Sequence, residues 1–156
     1  MDQTATLAVH RSVVVEAPPD RAFATFTDGF ATWWPMESHH TGPVDAETAV
    51  IEPREGGRWY ERGVDGSEED WGRVLVWEPP SRLVLAWQLS SEFRYDPSFL
   101  TEVEVRFTPE DGGTRVELEH RGFERLGEGA EALRAPVDSE GGWTGLLARY
   151  ADAAGG

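Results

Sequence analysis

Two groups of residues have the types and spacing for chemistry. His120 ends a segment in which Val116, Leu118 and His120 alternate with Arg115, Glu117 and Glu119, so its imidazole shares the apolar face. An imidazole in such a place titrates near neutral pH and could serve as acid, base or ligand anchor. The position suits equally a histidine at a strand's end, bonded to a backbone carbonyl or to solvent. The second group is Glu37-Ser38-His39-His40. Neighbouring side chains of an extended strand point to opposite faces, so His39 and His40 could share an ion only on an irregular loop. Glu37 with His39 is better placed, but His10 is far away in sequence, and zinc usually takes three or four protein ligands. The expectation is a polar loop near the mouth of the fold and no metal.

Other familiar chemistries are missing. The chain has no Cys and no Lys, which excludes thiolate metal sites, thiol nucleophiles and Schiff bases, and it contains no Gly-x-Ser-x-Gly elbow. Asp65, Glu68, Glu69 and Asp70 read as the solvated tip of a hairpin. Just before them, Glu61 and Arg62 point oppositely, so one charge faces inward or lies at an edge. An inward charge needs a partner, with Arg73 across the hairpin the natural candidate.

Seven tryptophans, Trp33, Trp34, Trp59, Trp71, Trp77, Trp87 and Trp143, are spread along the chain. Indoles either fill a core, each burying roughly 150–250 Å², or wall a pocket for a flat apolar ligand. Ideal alternation puts Trp71, Arg73, Leu75 and Trp77 on one strand face and Gly72, Val74 and Val76 on the other, without saying which is inward.

The elements that must position these groups follow from periodicity. Leu7 to Glu16 is β-rich and stops at Ala17-Pro18-Pro19-Asp20. Pro19 or Asp20 opens a helix, Phe23, Phe26 and Phe30 share one face, and Gly29 divides two short helices closed by Trp33-Trp34-Pro35. From Val44 to Glu119 the signals are those of strands. Asp65-Gly66 reads as a two-residue hairpin turn, Pro79-Pro80-Ser81 and Asp111-Gly112-Gly113 separate further strands, and Val103, Val105 and Phe107 alternate with Glu102, Glu104 and Arg106. One sheet face is wet and one faces a core. A helix is expected over Glu128 to Arg134, ended by Pro136. A terminal helix follows, with the stripe Trp143, Leu146, Leu147, Tyr150 and Ala154, capped by Ser139 with Glu140 in its first turn. A strongly curved antiparallel sheet of six to seven strands wrapped around the last helix buries both apolar faces, an α+β architecture.

Length and composition agree. The 156 residues predict a single domain, 1–156, large enough for an internal cavity. Asp and Glu number 29 against 14 arginines, a net charge of -15, which argues against nucleic acid and anionic membranes as partners. No apolar run approaches a membrane span and Met1 to Val15 lacks a signal-peptide core, so a soluble, cytoplasmic protein is expected.

The order of segments, with the residues in it, resembles the START-like (SRPBCC) helix-grip superfamily, and within it the branch named for the activator of heat-shock-protein-90 ATPase homologues. The matching stretches are Val14-Val15-Glu16-Ala17-Pro18 through Phe23 and Phe26, Trp33-Trp34-Pro35, Glu52-Pro53-Arg54-Glu55-Gly56-Gly57-Arg58-Trp59 and Gly72-Arg73-Val74. They continue through Glu78-Pro79-Pro80-Ser81-Arg82-Leu83 to Trp87, Glu119-His120-Arg121-Gly122-Phe123 and Gly142-Trp143. The resemblance implies a cup whose sheet and C-terminal helix enclose an apolar cavity for a small hydrophobic or aromatic molecule, with no cofactor. The expected lining is Phe26, Trp33, Trp34, Trp59, Trp71, Trp87, Val105, Leu118, His120, Trp143 and Leu147. Three alternatives stand beside binding: a small cyclase- or hydratase-type enzyme using His120, or a carboxylate with His39 or His40, as acid and base; a co-chaperone stimulating a heat-shock-protein-90-type ATPase; and a homodimer formed through exposed aromatic surface.

Overall fold

The computed structural model describes residues 8–36, 39, 41, 44–90, 94–124 and 130–155. The strands are β1 Val9–Val15, β2 Ala46–Ile51, β3 Arg58–Gly63, β4 Glu68–Glu78, β5 Arg82–Trp87, β6 Thr101–Glu110 and β7 Gly113–Arg121. Helices α1 Pro19–Thr27 and α2 Phe30–Trp33 follow β1, and α3 Ala130–Val137 and α4 Gly145–Ala153 close the chain, joined through a wide turn, Glu140–Thr144. All sheet neighbours are antiparallel, in the order β1-β7-β6-β5-β4-β3-β2. The curled sheet grips α4, the helix-grip arrangement.

Local chemistry explains the framework. Pro19 sits at the first position of α1, where its missing N–H leaves no bond unmade, and Asp20 faces the positive end of the helix dipole. Phe23, Phe26 and Phe30 are all buried. Asp111 and Gly112 both take positive φ between the paired residues Glu110 and Gly113, the conformation of a two-residue type I′ turn. The Asp65-Gly66 turn differs from expectation. Its loop has three residues, Val64 to Gly66: the Gly63 and Gly66 N–H groups donate to Ser67 O and Gly63 O at 2.7 and 2.9 Å, and only Gly66 has positive φ.

Strict alternation also fails in β4, which carries two bulges. Trp59 pairs with Gly72 but Tyr60 with Asp70, and Val74 pairs with Leu85 but Val76 with Val84. Trp71 and Leu75 are therefore extra residues, and each bulge resets which side chains face the core. As a result Trp71 and Val74 are buried and Trp77 meets Phe23 at 5.1 Å, while Arg73 is exposed.

The C-terminal segment departs from expectation in two details. Helix α3 runs through Pro136 rather than ending before it, because a proline in the last turn removes a single bond; residues 128 and 129 lie outside the described residues. Ser139 does not cap α4, since its hydroxyl donates to Pro136 O at 2.6 Å and Thr144 holds the N-cap position. The apolar stripe is buried as expected from Trp143 to Ala154. Tyr150 meets Phe26 and Trp33 at 5.2 and 5.5 Å and donates its hydroxyl to Ala22 O at 2.7 Å, which fixes α4 on α1. The outer face around Glu104 is less wet than alternation implies: its carboxylate is buried beneath Arg82, Arg106 and Arg121. No helix among the described residues is long and apolar enough to cross a membrane.

Candidate functional site

Under most of α4 the sheet is not hollow. Phe26, Phe30, Trp33 and Trp59 occupy that space with centroid separations of 5–6 Å, each ring meeting the edge or face of the next. Room opens instead at one end of the half-barrel, in a cleft of about 1170 Å³ between the sheet and the beginning of α4. Four surfaces bound it: the start of β4; the end of β5 with Leu89, Arg94 and Tyr95; Trp34, His39 and Thr41; and the α3–α4 turn with Leu146.

Of the eleven residues expected to line a cavity, Trp34, Trp71, Trp87 and Trp143 line this cleft. Phe26, Trp33, Trp59, Val105, Leu118 and Leu147 are buried in the core behind it. Sequence reasoning missed Leu89, Arg94, Tyr95, Val137 and Gly142, which lie outside regular strands or at helix ends. The turn Glu140–Thr144 aims Trp143 back toward the sheet, where it stands 5.9 Å from Trp87 and 6.2 Å from Trp34.

His120 lies behind this wall, fully buried against Trp87, Phe123 and Trp143. An indole nitrogen only donates, so Trp143 Nε1–H, 3.0 Å from His120 Nδ1, makes Nδ1 the acceptor and leaves the proton on Nε2. Nε2–H then donates to Thr101 Oγ1 at 2.8 Å, and that hydroxyl donates to Trp87 O at 3.3 Å. Both ring nitrogens are committed, and burial pushes the imidazole pKa down to about 3. A neutral, shielded imidazole with no free nitrogen is ill-suited to acid–base catalysis. Its geometry is that of a brace for Trp143.

The acidic run is not merely a solvated tip. Glu68, Glu69 and Asp70 border the cleft, and Arg58 and Arg62 stand beside them. Hydrogen bonds to Asp70 and then Glu68 raise the Arg58 guanidinium above its ordinary value, and its bond to Glu68 holds that carboxyl below the usual range. Glu61, with 1% exposure, is the inward charge of β3, but Arg73 is not its partner: the bulge at Trp71 shifts the register, and Arg73 reaches Gln88 instead. Glu61 Oε1 accepts from Trp71 Nε1 at 2.8 Å, Thr41 N at 2.5 Å and Thr41 Oγ1 at 2.8 Å. His39 also borders the cleft, donating from Nε2 to Gly141 O at 2.8 Å, while its own carbonyl accepts from Trp34 Nε1 at 2.8 Å. Glu37, Ser38 and His40 lie outside the described residues, among which no cluster of three or more potential metal ligands occurs. The arrangement offers a packed aromatic wall, whose four indoles are only 1–6% exposed, with carboxylates and an arginine at the rim and the His39 imidazole among the lining.

Known proteins share this framework. A family model described as Activator of Hsp90 ATPase homolog 1-like protein matches residues 16–154. No curated protein matches the chain. Among solved structures, the anthrahydroquino-gamma-pyrone synthase Txn09, complexed with SUM, is 39% identical over 94% of this chain and 96% of its own, with a TM-score of 0.65. CalC from Micromonospora echinospora, described as a self-sacrificing resistance protein, is 35% identical over 94% of this chain and 93% of its own, with a TM-score of 0.70. Protein NE0264 from Nitrosomonas europaea, at 14% identity over 99% of this chain and 97% of its own and a TM-score of 0.68, shares the fold alone.

Proposed function

This chain belongs to the family of Activator of Hsp90 ATPase homolog 1-like proteins, and from that premise we propose that its cleft binds a planar aromatic small molecule. The observation that carries the reading is the wall formed by Trp34, Trp71, Trp87 and Trp143 around about 1170 Å³, with Leu89 and Leu146 completing the apolar surface. Small-molecule sites typically measure about 300–1,000 Å³ and are mostly apolar with a few placed polar groups. Rings of this kind bind flat ligands by offset stacking and edge contacts while losing little side-chain entropy. The synthase among the relatives is named for an anthrahydroquino-pyrone, a fused-ring aromatic, which supports the same ligand class here.

The test is a titration with the tricyclic dye emodin, followed by tryptophan fluorescence. Saturable quenching is expected, with a dissociation constant of about 1–10 μM and a rise in melting temperature at saturating dye. Leu146→Trp adds bulk at a buried position bordering the cleft; it is expected to cost about 1–3 kcal/mol of stability and to weaken binding at least tenfold in protein that stays folded. Linear, unsaturable quenching of the same slope in both proteins would refute the proposal.

A further inference from the structure

Glu61 is a carboxylate buried to 1% exposure in the middle of β3. Its position in β3 faces the core, where an apolar side chain would be buried without the desolvation that a carboxylate carries. Three donors to it among the described residues come from two separate walls of the cleft. Trp71 belongs to β4 and reaches Glu61 through its indole N–H, and Thr41 belongs to the segment before β2 and supplies both its backbone N–H and its hydroxyl. Trp71 and Thr41 both line the cleft, whereas Glu61 stands behind them.

We infer that Glu61 is the positioning residue of the ligand cleft: one carboxylate oxygen sets the orientation of the Trp71 ring and ties the Thr41 segment to it. The inference rests on the ligand-binding reading above and assigns that site its geometric control. The bulge leaves Trp71 without a partner in register on β3, so on that side no cross-strand side chain fixes its rotation, while on the other side Gln88 N–H bonds only its carbonyl. Packing against Trp34 and Trp59, at 5.4 and 5.6 Å, limits the ring, but only the bond from Nε1 distinguishes one edge of the indole from the other. A charged acceptor makes that bond about twice as strong as a neutral one would. Shape selection in the cleft therefore passes through a residue that never touches the ligand.

The indole resonances in proton–nitrogen NMR spectra of the ligand-free protein test this directly, together with emodin titrations. In the wild type the Trp71 indole proton resonates downfield, as a donor to a carboxylate. In E61L it moves upfield to the position of an indole without an acceptor, and emodin affinity falls about tenfold or more, the equivalent of one charged hydrogen bond. In E61Q the neutral acceptor restores affinity to within about threefold of the wild type, with an intermediate resonance. A folded E61L with an unmoved Trp71 resonance, or with wild-type affinity, overturns the assignment. Where E61L does not fold, E61Q decides alone, since an unmoved resonance in that variant also overturns it. If the wild type takes up no emodin, the binding proposal fails while the resonances still decide the role of Glu61.

Discussion

His120→Ala is expected to cost about 3–5 kcal/mol of folding stability, the range for removing a large buried ring. The substitution leaves a cavity against Trp87, Phe123 and Trp143, and it strips Trp143 Nε1 and Thr101 Oγ1 of their partner in a buried site. The wild-type protein also has a pH signature. Burial holds the His120 pKa at about 3, below the ordinary 6.5, so between these values the unfolded chain binds the proton and the folded protein does not. Stability from this group is complete above pH 6.5 and declines as pH falls toward 3, with a slope approaching 1.4 kcal/mol per pH unit. About 2 kcal/mol is therefore lost between pH 7 and pH 5. Glu104 adds to acid sensitivity at lower pH: burial pushes its carboxyl up, but bonds from Arg82 and Arg121 outweigh this and hold it below the usual range. Its contribution is present above the ordinary carboxylate pKa and fades as the group is protonated. Urea unfolding at the two pH values should show the slope in the wild type and its loss in a folded His120 variant. An alanine variant of unchanged stability, or a wild type whose stability is flat between pH 7 and pH 5, would remove the structural role and return His120 to the catalytic candidates.

Gly142→Ala is expected to damage the cleft from its other side. A Cβ there would lie 2.3 Å from Val137 O and 2.5 Å from Pro136 O, both backbone atoms at the end of α3 that cannot swing away as a side-chain tip would. Overpacking of this kind costs about 1–3 kcal/mol. The displaced turn carries Gly141 O, which holds His39, and Trp143, which meets Trp34 and Trp87 edge-on in the wall and bonds His120. Emodin binding should therefore fall by more than tenfold in protein that remains folded at low temperature. Wild-type binding in this variant would show that the cleft does not depend on the α3–α4 turn.

Much of the framework was legible in the sequence because alternation and glycine-marked turns are local. The stretch from Val103 to His120 declares a hairpin with one buried face, and the two helices around Gly29 follow from the spacing of Phe23, Phe26 and Phe30. Bulges are not local in this sense. Nothing in the residues of β4 marks Trp71 and Leu75 as extra, so strict parity pairs Glu61 with the wrong partner and leaves the direction of the indoles open. That one of Glu61 and Arg62 faces inward or lies at an edge was visible from their adjacency, but not which of them, because the donors to Glu61 lie on separate segments. His120 was placed on the correct face, yet its role depended on Trp143 returning across the sheet through a turn after α3. The cleft's location was beyond pattern reasoning for a similar reason: periodicity identifies which rings face inward, and their volumes decide how much of the interior they fill.

The account stands most directly on where a flat ligand lies. Isotope-filtered NOE spectra of the emodin complex are predicted to show contacts from the dye's ring protons to the indoles of Trp34, Trp71 and Trp143 and to the methyls of Leu146, the residues that meet in the cleft. A saturated complex whose dye contacts fall on the exposed side chains Val14 and Val64, with none to those indoles, would contradict it.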